Sequence, residues 1–206
     1  QLPLKHDNFV QEQDHERRPA ASAGPLCAIE RLPRPRMNPV KSTTEILALK
    51  ALNRDIDMTW VEWACDMLAN GHNTEHLIIL AGEREPFNQF EMQTLSEKVL
   101  EELGLDYSNQ EDTIRKYACF LIDKCFDGHL TPIQVLTILK DIYVEIGMEK
   151  YLDKFWLLYF AKVDLSHYDH QWYWPGGNRE NIDMIISEYF TTWRTSCMTD
   201  EITTVA

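Results

Sequence analysis

The chain has 206 residues and a formal net charge of −13, and 44% of its residues are hydrophobic. This length is enough for one domain with a sizeable core that needs neither disulfides nor a metal. No apolar run approaches the roughly 20 residues that a membrane helix requires. No hydrophobic stretch typical of a secretory signal opens the chain, so we expect a cytoplasmic protein. A signal removed during maturation would leave no trace in the sequence.

The charge is unevenly distributed along the chain. Residues 1–36 carry six Lys or Arg and five Asp or Glu, whereas the remainder carries 14 Lys or Arg and 28 Asp or Glu. Binding to nucleic-acid phosphates needs a basic footprint, so the acidic body argues against a nucleic-acid partner. A basic partner protein suits such a surface, and a need for solubility would also explain it.

The N-terminal segment differs in composition from the rest. Residues 1–36 contain five of the nine prolines and show little helical periodicity. We expect them to be disordered, or to be a non-native leader ahead of a true start at Met37. The all-helical domain is predicted to span 37–197, followed by a disordered C-terminal tail at 198–206.

Helix start and stop signals recur throughout the predicted domain. The capping-box pattern begins at Ser42, Thr59, Asn88, Ser108 and Thr131. Glycine stops follow at Gly71, Gly82, Gly104, Gly128 and Gly147. Such signals are typical of an all-α domain.

The apolar periodicity predicts eight helices. In chain order they lie at about 43–53, 60–70, 74–82, 89–103, 109–127, 132–146, 149–163 and 179–195. Short loops between successive helices favour a single irregular antiparallel helical bundle. The alternative is a short helical-repeat solenoid. The glycine stops are spaced 11, 22, 24 and 19 residues apart and share no sequence template, which favours the bundle.

The five cysteines are an odd number with no C-x-x-C pair. Cys65, Cys119 and Cys125 fall on predicted apolar helix faces, where a thiol usually acts as a small hydrophobic group. We therefore expect reduced thiols in a reducing compartment rather than a disulfide framework.

One segment resembles an EF-hand calcium loop. Between Asp123 and Gln134 the first, fifth and sixth positions are Asp123, Asp127 and Gly128. Calcium also needs an oxygen ligand at the third position and a bidentate Glu at the twelfth, which are Cys125 and Gln134 in this chain. We expect instead that one helix ends at Gly128 and the next begins shortly after it.

Residues 164–178 interrupt the helical rhythm and concentrate aromatic side chains, namely Tyr168, Trp172, Tyr173 and Trp174. Trp and Tyr dominate the hot spots of protein interfaces, so these four are the candidate partner-binding residues. The alternative is that the rings fold back and cover the core.

The same interval contains a weak candidate metal site. His167, Asp169 and His170 offer imidazole and carboxylate groups that suit zinc or iron. An H-x-x-H pair alone is a weak signal, and the sequence places no further ligand at a fixed spacing. A metal-dependent enzyme that uses these three residues is the alternative function.

The chain carries no recognised catalytic motif. A nucleophile elbow, a Walker loop, a dinucleotide fingerprint and an H-E-x-x-H helix are all absent from the sequence. We therefore predict no catalytic residue and no cofactor, and we expect a binding protein rather than an enzyme.

One helix pair carries a family resemblance. From Trp63 to Gly71 the chain reads W-x-x-x-M-L-x-x-G, and from Leu77 to Gly82 it reads L-x-x-L-A-G. Over about 45 residues this pair resembles small all-helical bacterial proteins of uncharacterised function. The resemblance implies a cytoplasmic bacterial protein and names no chemistry. Some acidic bacterial proteins of this size are immunity partners of secreted toxins, which supplies an analogy for function.

These observations lead to one expected function. We expect a non-enzymatic, acidic protein-interaction module, in the manner of an immunity-type inhibitor that presents an acidic face to a basic partner protein. Complementary charge would speed association, and buried aromatic rings would supply affinity. Trp172, Tyr173 and Trp174 are the first candidates for anchors. We expect neither nucleic acid nor membrane as a partner, and the sequence does not set the oligomeric state.

Overall fold

A computed structural model of the chain describes residues 39–203, with side chains up to residue 197. Within that range all regular structure is helical, which confirms the predicted all-α helical bundle. The helices are α1 (Thr43–Ala51), α2 (Met58–Ala69), α3 (Glu75–Gly82), α4 (Gln89–Leu103), α5 (Gln110–Phe126), α6 (Pro132–Glu145), α7 (Asp153–His167) and α8 (Ile182–Thr203). A short 3-10 turn, Lys150–Leu152, precedes α7. The predicted leader at 1–36 lies outside the described residues.

Two clusters of buried side chains fill the bundle. The first, the α2–α4 core, packs α2, α3 and α4 around Trp60 and Trp63. The second, the α5–α8 core, packs α5, α6, α7 and α8 around Phe155. α1 contributes to both clusters, because Ile46 belongs to the first and Ala48 to the second. One short helix therefore links the two halves of the domain.

The helix pair that carries the family resemblance forms most of the α2–α4 core. At most 1% of each side chain is exposed at four of its positions, Trp63, Met67, Leu77 and Leu80. These positions are occupied by packing residues, so the pattern reflects how α2 and α3 fit together.

A buried lysine ties α1 to α4. The Lys50 ammonium donates to Gln93 Oε1 at 2.8 Å, to Ser96 Oγ at 3.0 Å and to Glu97 Oε1 at 3.2 Å. It also reaches the backbone oxygen of Gln93 at 3.3 Å. A buried ammonium is tolerated only when it is paired and hydrogen-bonded, and this set of acceptors meets that requirement.

Some of the predicted helix starts are confirmed by the structure, and others lie at a different residue. α6 begins with a complete capping box, in which Thr131 and Gln134 satisfy each other's backbone N–H groups. The cap predicted at Thr59 is wrong, because Asp57 is the N-cap of α2 and its Oδ1 accepts from the Thr59 N–H at 3.0 Å. Both Asp57 and Thr59 suit a cap, and the competition between them is not visible in the sequence pattern.

The apparent calcium loop is not formed. α5 continues through Asp123 and Cys125 to Phe126. The Asp123 carboxylate lies 2.7 Å from Arg194 Nε of α8 and so already has a cationic partner. Gly128 then adopts a φ of +79° and ends the helix, as predicted.

The prediction that the cysteines stay reduced is wrong for one pair. Cys119 of α5 and Cys197 of α8 form a disulfide, with their Cα atoms 6.4 Å apart and a sequence separation of 78. The two helices face each other, and no sequence spacing signals that approach. Cys65 is exposed rather than packed on an apolar face, and Cys125 is half-buried.

The last helix is longer than predicted. α8 continues to Thr203, six residues beyond the expected end of the domain at 197. None of the helices in the described part of the chain combines the length and the apolar character needed to cross a membrane.

Candidate functional site

The connection between α7 and α8 is organised around one side-chain amide. Gln171 Oε1 accepts hydrogen bonds from the backbone N–H groups of Tyr173 and Trp174, each at 2.7 Å. Gln171 Nε2 donates to the carbonyl oxygen of Trp174 and, at 3.0 Å, to that of Gly177. A single amide thus pairs four backbone groups and fixes the path of the loop.

A glycine and an asparagine pair complete the loop. A Cβ atom on Gly177 would lie 3.1 Å from Gln171 Nε2 and 3.3 Å from the Trp174 carbonyl oxygen, so a side chain here would require these groups to shift by a few tenths of an ångström. Asn178 Oδ1 accepts from the Asn181 N–H at 3.1 Å, and Asn181 Oδ1 accepts from the Asn178 N–H at 2.8 Å. These reciprocal bonds form the turn that leads into α8.

Two of the four candidate aromatic residues cover the core. The Tyr173 ring lies 5.6 Å from that of Trp156 and 5.3 Å from that of Phe160, centroid to centroid. The Trp174 ring lies 6.2 Å from Tyr189. Both residues pack against the α5–α8 core, so for this pair the structure favours the core-covering alternative.

The other two aromatic residues point into solvent. Trp172 is 86% exposed and Tyr168 is 61% exposed. The His170 ring lies between them, 5.9 Å from Trp172 and 6.5 Å from Tyr168. We call Tyr168, His170 and Trp172 the outer aromatic row. It presents a large apolar surface that the fold itself does not use.

The three weak candidate metal ligands do not form a ligand set. Asp169 pairs with Arg179 Nη1 at 2.9 Å. His167 Nδ1 lies 3.0 Å from the carbonyl oxygen of Val163, and His170 belongs to the outer aromatic row. Across residues 39–197, no group of three or more His, Cys, Asp or Glu side chains is arranged to hold a metal ion.

A second notable surface is the acidic exterior of α2, α3 and α4. Residues 55–109 contain twelve Asp or Glu but only two Lys or Arg, Arg84 and Lys98, so the segment has a net charge of −10. Eight of these carboxylates form neither an ion pair nor a side-chain hydrogen bond with any described residue. They are Asp55, Glu62, Asp66, Glu75, Glu83, Glu85, Glu91 and Glu101.

One carboxylate of this surface does have a defined partner. Glu102 Oε1 lies 2.6 Å from His76 Nδ1. This hydrogen bond lowers the pKa of Glu102 below its ordinary value. The pair joins the start of α3 to the end of α4.

Two residues of these surfaces are not among the candidate residues of the sequence analysis. Gln171 organises the aromatic loop, but a single glutamine in a loop carries no recognisable signal. Phe90 is a large apolar residue, yet it is 82% exposed. At about 100° per residue it lies on the face of α4 opposite the buried Met92 and Val99.

No protein-family model, curated protein or solved structure shows significant similarity to this chain. The geometry and charge of its own side chains therefore carry any inference about function.

Proposed function

We propose that this protein is a non-enzymatic interaction module that binds a basic partner protein. The observation that carries the proposal is Trp172, which is 86% exposed at the tip of a hydrogen-bonded loop. Burying an indole of this exposure in a partner's pocket is worth about 4 kcal/mol. That magnitude is typical of an interface hot spot.

The loop supports this role because it is already ordered. Gln171 holds the backbone on both sides of the indole, and Tyr173 and Trp174 anchor the loop to the core. Ordering a flexible loop on binding costs free energy, and a preformed loop avoids that cost.

The acidic surface of α2–α4 favours a basic partner. A net charge of −10 over residues 55–109 attracts an oppositely charged protein over distances of about a Debye length. Such steering raises the association rate. By analogy with acidic bacterial proteins of similar size, the module would be an immunity-type inhibitor.

Comparative capture tests the aromatic part of the proposal. Wild-type protein, Trp172→Ala and Met184→Ala are immobilised separately and exposed to a lysate of the cells that produce the protein. Met184 is the control, because it is 57% exposed and lies on α8 outside the outer aromatic row. We expect a protein that is retained by wild type and by Met184→Ala but lost with Trp172→Ala. Equal retention by all three would contradict an anchoring role for Trp172.

The salt dependence of association tests the electrostatic part. With the captured partner in hand, the association rate constant is measured between about 50 and 500 mM salt, where screening shortens the Debye length severalfold. We expect the rate constant to fall at least tenfold across this range. A rate constant that does not change with salt would remove the acidic surface from the proposal.

A further inference from the structure

A shallow groove of about 580 Å³ lies between the α1–α2 connection and the start of α4. The apolar part of its lining is Ile56, Pro86 and Phe87. Gln89 joins its two sides, because Oε1 accepts from the Ile56 N–H and Nε2 donates to the Ile56 carbonyl oxygen, both at 2.9 Å. These two hydrogen bonds fix the position of the α1–α2 connection relative to the start of α4.

The lining of the groove also includes three carboxylates, Asp55, Asp57 and Glu85. The Asp57 carboxylate already accepts a hydrogen bond from the Thr59 N–H, because it caps the N-terminus of α2. Asp55 and Glu85 are exposed and have no cationic partner among the described residues. An apolar groove with this acidic rim is complementary to a side chain that combines an apolar stem with a positive end.

Exposed apolar side chains flank the groove in sequence on both sides. Phe90 follows Gln89 and is 82% exposed, and Met58 follows Asp57 and is 38% exposed. Exposed large apolar side chains that neighbour groove-lining residues in sequence are available for contact with a partner. Phe90 in addition offers an aromatic face to a cation.

We infer that this groove binds an arginine side chain carried by an extended segment of the basic partner protein. The arginine stem packs on an apolar surface while its charged end stays at the rim. The planar guanidinium forms paired hydrogen bonds with carboxylates and stacks on aromatic rings, which a lysine ammonium does less well. The inference rests on the proposed function, since it supplies a second contact for the same basic partner.

Binding of a short peptide tests the occupant directly. The probe is a fluorescein-labelled peptide of sequence Gly-Leu-Arg-Leu-Arg-Gly, measured by fluorescence anisotropy with the full chain at about 50 mM salt. The matched control peptide carries citrulline, a neutral group of the same shape, in place of both arginines. We expect the arginine peptide to bind at least tenfold more tightly than the citrulline peptide.

Matched variants then locate the site. Asp55→Asn combined with Glu85→Gln removes two charges from the groove, whereas Glu62→Gln combined with Glu101→Gln removes two exposed charges elsewhere on α2 and α4. We expect the groove variant to weaken peptide binding about tenfold and the control variant to weaken it less than about twofold. Phe90→Ala should weaken it about threefold.

Three results would overturn the inference. These are no binding of the arginine peptide to wild type, equal binding of the citrulline peptide, or equal weakening by the two charge variants. Trp172→Ala should leave peptide binding unchanged, because Trp172 belongs to the α7–α8 connection. If the arginine peptide does not bind at the groove but capture of a partner still depends on Trp172, the groove inference is wrong and the proposed function stands. Intact peptide binding with no Trp172-dependent partner would instead count against the proposed function.

Discussion

Breaking the disulfide between Cys119 and Cys197 should remove a large part of the stability of the domain. The bond closes a loop across 78 residues. In the chain-entropy account, a loop of that length restricts the unfolded state by about 4.5 kcal/mol at 25 °C. Native domains have total stabilities of roughly 5–15 kcal/mol, so the loss would be a substantial fraction of the whole.

Urea denaturation measures this loss. Unfolding is followed by far-ultraviolet circular dichroism for the oxidised protein, for the same protein with a thiol reductant, and for Cys119→Ala combined with Cys197→Ala. We expect the last two to coincide, between about 2 and 4.5 kcal/mol below the oxidised protein, or about 1–2 M lower in urea midpoint. Cys65→Ser is the control, because this exposed thiol lies outside the bond and its loss should change stability by less than about 0.5 kcal/mol.

Two results would refute the reasoning. One is a change of less than about 1 kcal/mol on reduction, which would mean that the bond does not constrain the unfolded chain as the loop length implies. The other is a non-reduced peptide map in which the Cys119 and Cys197 peptides migrate separately. Alkylation of the native protein adds a check on the two free thiols of the described residues, because burial raises the pKa of the Cys125 thiol and exposed Cys65 should react before it.

Three further predictions concern single side chains. Lys50→Ala should lower the free energy of unfolding by about 3 kcal/mol in urea denaturation, because it removes the hydrogen bonds of a buried ammonium, and Lys50→Met should restore part of the loss by keeping the stem. Equal losses of unfolding free energy in Lys50→Ala and Lys50→Met would contradict this explanation. Gly177→Ala should alter the near-ultraviolet circular dichroism of the aromatic loop and reduce Trp-dependent capture, because the new methyl group displaces the loop amide, whereas Gly82→Ala, which meets open space, should do neither. The His76 hydrogen bond lowers the pKa of folded Glu102, so it stabilises the domain above the ordinary carboxyl pKa and ceases to do so as pH falls through the lowered value. Glu102→Gln should therefore lower the urea midpoint at about pH 6, with the difference shrinking below about pH 4, and a difference independent of pH would argue against this account.

Local signals allow most of the helices to be predicted. The predicted range 89–103 matches α4 in full, and the capping box at Thr131 sets the start of α6. Errors arise where two neighbouring residues can serve the same role. Asn109 rather than Ser108 is the N-cap of α5, for example, since either side chain can accept the bond that starts a helix.

Contacts between distant segments cannot be predicted in the same way. Cys119 and Cys197 meet because α5 and α8 pack together, which depends on the whole arrangement of helices. Trp172 and Tyr173 are adjacent aromatic residues in one loop, yet one faces solvent and the other the core. The backbone path set by Gln171 makes that distinction, and composition alone contains no trace of it.

The shared membership of α1 in both cores also constrains the order of folding. α1 is the first helix of the described chain to leave a ribosome. Its residue Ala48 belongs to the α5–α8 core, so Ala48 has no packing partner until α5 has been synthesised. The α2–α4 core draws the fully buried Ile46 and the partly buried Leu47 and Leu49 from α1. The contacts of α1 therefore cannot be complete before α5 is available, although α1 is the first helix of the described chain.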